Sequence, residues 1–284
     1  MHSLDNIQRF LFEHAAIRGE IVHLDIVLQT ILQQRNYPTR IKQLLSEALM
    51  ACALLVSGIK FEGEVSLQFQ GDKRFPLLLV QCNHQLQIRG FANASEGLLD
   101  ADYDDALLHG TMVINLTPHN QTQTYQSVVP LISASMSDNL MRYFAQSEQL
   151  PSKIWFAVTN HSAAGILLQL MPDQNSQQRE EFWEYAVHIG ETITSEELLA
   201  LDNPTLLHRL YHETELRLYP ERPIQFHCRC TPERMKQVLT LLGEKDAQAL
   251  IEEKKQVEVR CEFCNEGYTF DAIDVTLLFR EEHK

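Results

Sequence analysis

Four of the chain's six cysteines fall near its C-terminal end, as Cys228-Arg229-Cys230 and Cys261-Glu262-Phe263-Cys264. Two close pairs set well apart in the sequence are able to converge on one tetrahedral ion, and a set of four thiolates suits zinc best. A Cys-x-x-Cys turn aims two sulfurs at one point, as zinc ribbons do. Cys-x-Cys is less usual: residues i and i+2 of a flat strand share a face, but their sulfurs need a bend to chelate. A helix cap at Thr231 followed by Pro232 supplies that bend. His227 is an available substitute donor, but four cysteines need no fifth. The same sulfurs are oxidisable, because a metal holds them as thiolates, the form that oxidants attack. A disulfide sulfur is a poor ligand, so oxidising both pairs undoes the site. The blander reading is four unrelated buried thiols. Cys52 falls on the apolar stripe of a helix and Cys82 ends an apolar strand, and both read as small buried hydrophobes.

The elements that must position the cysteines follow from periodicity. Thr231 and Pro232 open a helix whose Met235, Val238, Leu239 and Leu242 share a face before Gly243. A second helix fits 246–254. Residues 257–260 form a strand entering Cys261, and 268–270 form its return. A module running only from Cys228 to Lys284 is too small to be robust without a staple. Ahead of it, 173–226 reads as short helices: Phe182, Tyr185, Ala186 and Ile189 on one face, a capping box from Thr194 to Glu197, and Asn203 as N-cap with Pro204 at N1. That stretch holds eleven acids against four arginines, and short acidic helices depend on packing for stability. Earlier still, 38–57 has helical periodicity through Ile41, Leu44, Leu45, Ala48 and Cys52, with Gly58 past its end. Strand signals follow at 65–69, 75–82, 86–90, 112–116 and 125–129, then a helix at 137–146 and a strand at 154–159. The expected fold class is α+β. A mixed domain with antiparallel sheets spans 1–172, a helical linker 173–226 and a zinc module 227–284.

Composition excludes several classes. The net charge is −14, from 38 acids and 24 bases, and even the stretch from Cys228 onward carries nine bases against twelve acids. Nucleic-acid binders draw most of their affinity from a basic face, so a zinc-ribbon reading with Arg260, Phe263 and Tyr268 on its face is disfavoured. A thiol-disulfide oxidoreductase using Cys261 and Cys264 is the enzyme alternative, but its Cys-x-x-Cys normally opens a helix beside a βαβ unit. There is no Walker-type phosphate loop. Ser162-Ala163-Ala164-Gly165 lacks the leading glycine of a nucleophile elbow. Met1 to Arg9 has no apolar core of a signal peptide, and no apolar run approaches the ~20 residues of a membrane span. A reducing cytosol is therefore the expected compartment, where clustered cysteines mean metal or redox chemistry.

The chain resembles a bacterial family of redox-regulated heat-shock chaperones, the thirty-three-kilodalton chaperonins. The likeness rests on residues 226–234 (FHCRCTPER), 261–270 (CEFCNEGYTF), 207–212 (LHRLYH), 63–68 (GEVSLQ), 88–90 (IRG) and 143–149 (YFAQSEQ). It covers essentially the whole chain, and Thr231 stands where the family often has Ser. The resemblance implies a reduced, zinc-bound form with little activity, held by Cys228, Cys230, Cys261 and Cys264. Peroxide with unfolding stress, or hypochlorous acid, then pairs Cys228 with Cys230 and Cys261 with Cys264. It further implies zinc loss, loosening of the linker, and ATP-independent holding of unfolding client proteins, often by a homodimer. Clients later pass to ATP-dependent foldases.

Overall fold

Alternating apolar residues build two sheets in the first of two compact units, Met1–Phe226 and His227–Lys284. The computed structural model describes residues 5–60, 62–95, 97–119, 123–172 and 176–282. In chain order the first unit has β1 (Asn6–Phe12), β2 (Ile17–Leu24), α1 (Ile26–Leu32), α2 (Thr39–Gly58), β3 (Gly63–Gln70), β4 (Leu77–Asn83), β5 (Gln87–Asn93), α3 (Asp100–Leu108), β6 (Thr111–Pro118), β7 (Tyr125–Pro130) and α4 (Met136–Tyr143). A π-helical turn, Phe144–Glu148, extends α4. Then come β8 (Ser152–Val158), β9 (Ala163–Leu170), α5 (Ser176–Gly190), α6 (Ser195–Ala200), α7 (Asn203–Tyr211), β10 (Leu216–Leu218), β11 (Arg222–Pro223) and β12 (Gln225–Phe226).

One sheet runs β10-β1-β2-β9-β8, with β11 also on β1; the other runs β12-β5-β4-β3-β6-β7. Every pairing is antiparallel except that of β12 with β5. Between the sheets lies α2, buried along nearly its whole length, and its Leu44, Leu45, Ala48 and Leu49 share a core with Val22, Leu167, Leu67 and Val80. By length and composition α2 matches a membrane span. Arg40, Lys42 and Glu47 interrupt its apolar residues, so the expectation that no apolar run reaches that length stands; a helix enclosed by two sheets needs apolar residues most of the way round, and its burial marks it as a core helix.

The other face of the first sheet is covered by α5, α6 and α7. Leu198, Leu206, Leu207 and Tyr211 pack there against Phe10, Phe12, Ile21 and Ile166. The stretch expected as a linker therefore lies within the first unit, although its expected start, 173–175, falls outside the described residues. Its last residues add β10 and β11 to one sheet and β12 to the other. The Thr194–Glu197 capping box forms. The cap of α7 is Asp202 rather than Asn203, one residue early, because the Asp202 carboxylate accepts from the Thr205 amide at 2.9 Å. Gly19 is required where it stands: a Cβ there would lie 2.0 Å from the Phe10 ring, which closes over it.

The second unit has α8 (Pro232–Leu242), α9 (Glu244–Lys254), the hairpin β13 (Gln256–Arg260) and β14 (Gly267–Asp271), and α10 (Ala272–Glu282). Its core gathers Leu239, Ala247, Val257, Phe270, Val275 and Phe279. So few buried side chains yield little of the stability a free-standing domain needs.

Candidate metal centre

The turn after β13 is set by its backbone. The Asn265 amide donates to the Cys261 carbonyl at 2.8 Å, and the Cys261 amide to the Glu266 carbonyl at 2.9 Å. Asn265 takes φ 56°, the left-handed region that Asn tolerates better than most residues. The result points Cys261 and Cys264 to one side. On the other segment Thr231 caps α8 by accepting from the Arg234 amide. The Arg234 guanidinium donates to the Arg229 carbonyl at 2.8 Å, which holds the short stretch between Cys228 and Cys230.

These two segments bring all four sulfurs within 4.8 Å of one another. The Cys228 and Cys261 Sγ atoms are 3.6 Å apart, and those of Cys230 and Cys264 are 3.3 Å apart. Sulfurs at about 2.3 Å from a tetrahedral zinc would be about 3.8 Å from each other. Those two separations are close to the spacing a zinc ion requires, and an all-sulfur donor set favours zinc among common divalent ions. Cys261 is buried and the other three are half-buried. His227 is not in the convergent group.

The thiols are electrostatically unequal. Burial pushes the Cys228 and Cys264 thiols above their ordinary range. Burial also acts on Cys230, but hydrogen bonds from the Tyr268 hydroxyl and from the neighbouring sulfurs more than offset it, leaving that thiol below its ordinary value. The Tyr268 Oη–Sγ distance is 3.2 Å. Sequence reasoning placed Tyr268 on a possible nucleic-acid face and missed this role; the signal is its register opposite Val259 across the hairpin. Arg260, from the same supposed face, is paired with Glu258 at 2.5 Å. Cys261 follows a strand and enters a turn rather than opening a helix, unlike the redox Cys-x-x-Cys of an oxidoreductase.

Cys52 and Cys82 lie in the first unit, fully buried, with burial raising both thiols well above their usual range. They behave as core hydrophobes.

Known proteins that share this two-sheet domain wrapped on a central helix and run through the four-cysteine module are named as chaperonins. The family model described as Hsp33 protein matches residues 5–271, and the chain belongs to that family. It is 41% identical to the 33 kDa chaperonin of Pseudomonas savastanoi pv. phaseolicola over 288 residues, covering 98% of this chain and 96% of that one. To the 33 kDa chaperonin of Pseudomonas aeruginosa it is 39% identical over 285 residues, covering 98% and 96%. The fold is similar to the crystal structure of the 33 kDa chaperonin from Thermotoga maritima, with TM-score 0.82 at 21% identity, over 98% of this chain and 99% of that one.

Proposed function

We propose that this chain is a redox-regulated, ATP-independent holdase whose switch is the cluster of Cys228, Cys230, Cys261 and Cys264. The observation that carries the reading is the convergence of these four sulfurs within 4.8 Å in the smaller unit. When bound, zinc would supply a cross-link between the two cysteine segments, with an apparent binding free energy of about 10–16 kcal/mol in small modules. That is comparable to the whole stability of a domain. The reduced thiolates hold the module folded, and the proposed compartment is a reducing cytosol, where free thiols persist.

Oxidation joins Cys228 to Cys230 and Cys261 to Cys264. Each new S–S bond formed from two thiolates releases two electrons, and one peroxide takes these up with two protons from solvent to give two waters. The four donors are lost together, and with them the module's capacity to hold zinc. The module then unfolds, residues 173–226 loosen from the first unit, and the apolar surface beneath them holds partly folded clients. A homodimer is the proposed active form, with clients passed on to ATP-dependent foldases. A charge of −14 helps keep a chain with exposed apolar surface from precipitating.

The test is to add peroxide at heat-shock temperature, following zinc release alongside suppression of a model client's aggregation. The two are expected to rise together. Complete zinc release without any gain in suppression overturns the reading.

A further inference from the structure

His208 and His212 stand four residues apart on α7 and at its C-cap, so both side chains leave the same face of the helix. Their ring centroids are 6.2 Å apart. Both are exposed, and both border one groove together with Thr214 and Leu216. The helix is anchored beside and behind them: Leu206 and Leu207 are buried, and the Tyr211 hydroxyl donates to the Ala186 carbonyl at 2.9 Å. Two nearby charges are engaged elsewhere, Arg209 with Glu197 at 3.1 Å and Glu215 with His14 at 3.2 Å, while the exposed Glu213 carboxylate follows His212 directly. Two imidazoles at i and i+4 on one helical face form a chelating pair for borderline divalent metals. The end of α7 adds a second attraction, because the unsatisfied carbonyls of a helix C-terminus favour a cation.

We propose that His208 and His212 form a second metal site, separate from the four cysteines and taking a divalent transition ion of the zinc, nickel or copper class, with water completing its coordination. An ion held by both rings ties the last turn of α7 in helical form. Helices of nine residues are marginal alone, so such a clip resists fraying from this end. Under the proposed function, on which this consequence rests, an occupied pair slows loosening of α7 and raises the stress needed for activation.

The experiment uses the untagged, reduced, zinc-loaded full chain and titrates Ni2+ by calorimetry in a phosphine reductant. H208Q and H212Q are each expected to weaken an otherwise measurable Ni2+ site by about tenfold or more, whereas H84Q leaves it unchanged. Amide exchange over 205–212 is expected to slow when Ni2+ is added to the wild-type chain and not to H208Q. Identical isotherms in the wild type and both α7 variants overturn the site. Lost binding in the variants together with unaltered wild-type exchange overturns the clip. Both readouts use reduced protein without client, so a failure of the redox-holdase reading leaves them intact.

Discussion

At the scale of single residues the four convergent thiols stand apart from the groups that only hold the fold. On the α2 face of the first sheet, Arg9 donates from Nε to Glu20 Oε1 at 2.9 Å and also reaches the Ser57 carbonyl at the end of α2. Glu20 is almost fully buried, and burial raises its carboxyl despite the adjacent guanidinium. A carboxyl raised in the folded state favours the protonated form, so its contribution to stability is present at low pH and is lost as pH rises through the raised value. Replacing Arg9 by Met leaves the carboxylate buried without its partner. A loss of about 3–5 kcal/mol at neutral pH follows, read by urea denaturation of the reduced protein. The deficit should shrink as pH falls and Glu20 takes up a proton. An equal deficit at acidic and neutral pH would show that Arg9 acts through packing alone.

Elements differ in how plainly the sequence announces them. The alternation of Val65, Leu67 and Phe69 reveals β3 because only one of its faces is buried. In β9 every residue is buried, since α2 covers one face and α5 to α7 the other, so no alternation marks it and no strand was expected there. The same covering hid β1 and β2. With two or three residues each, β10, β11 and β12 are too short to carry a period. The cysteine site was legible from spacing alone, whereas the Tyr268 contact depends on hairpin register. The helices on the outer face also yield a prediction. Leu206 is buried against the first sheet and Leu210 is half-buried beside it. Changing both to Ser removes apolar packing worth about 2–5 kcal/mol per fully buried leucine. Such a chain should suppress client aggregation while still reduced and zinc-loaded. Activity equal to that of the reduced wild type would count against gating by these helices.

The whole molecule joins a large, doubly layered unit to one whose buried core is small. Under the proposed function a redox signal has a defined target, because the large unit owes its stability to packing that oxidants do not touch. Its two cysteines, Cys52 and Cys82, lie wholly inside it with thiols shifted away from the reactive form. Thiol and metal counts test this division directly. In denaturant the reduced chain should give all six thiols and one zinc. After oxidation it should give no zinc and only the thiols of Cys52 and Cys82. Loss of either of those two thiols under mild peroxide would mean that the large unit opens as well.

The three short strands at the end of the first unit also fix an order of events when the chain is tugged from its C-terminal side. Two residue pairs tie β12 to β5, two tie β11 to β1 and three tie β10 to β1, with buried Ile224, whose amide donates to the Asp5 carbonyl at 3.0 Å, fixed between β11 and β12. Tension entering at Phe226 meets these fastenings one after another and reaches α7 only when all have parted. The first unit thus lets go like a row of stitches, each small enough to re-form when the pull ceases, and a brief disturbance spends itself in the seam before the helices lift.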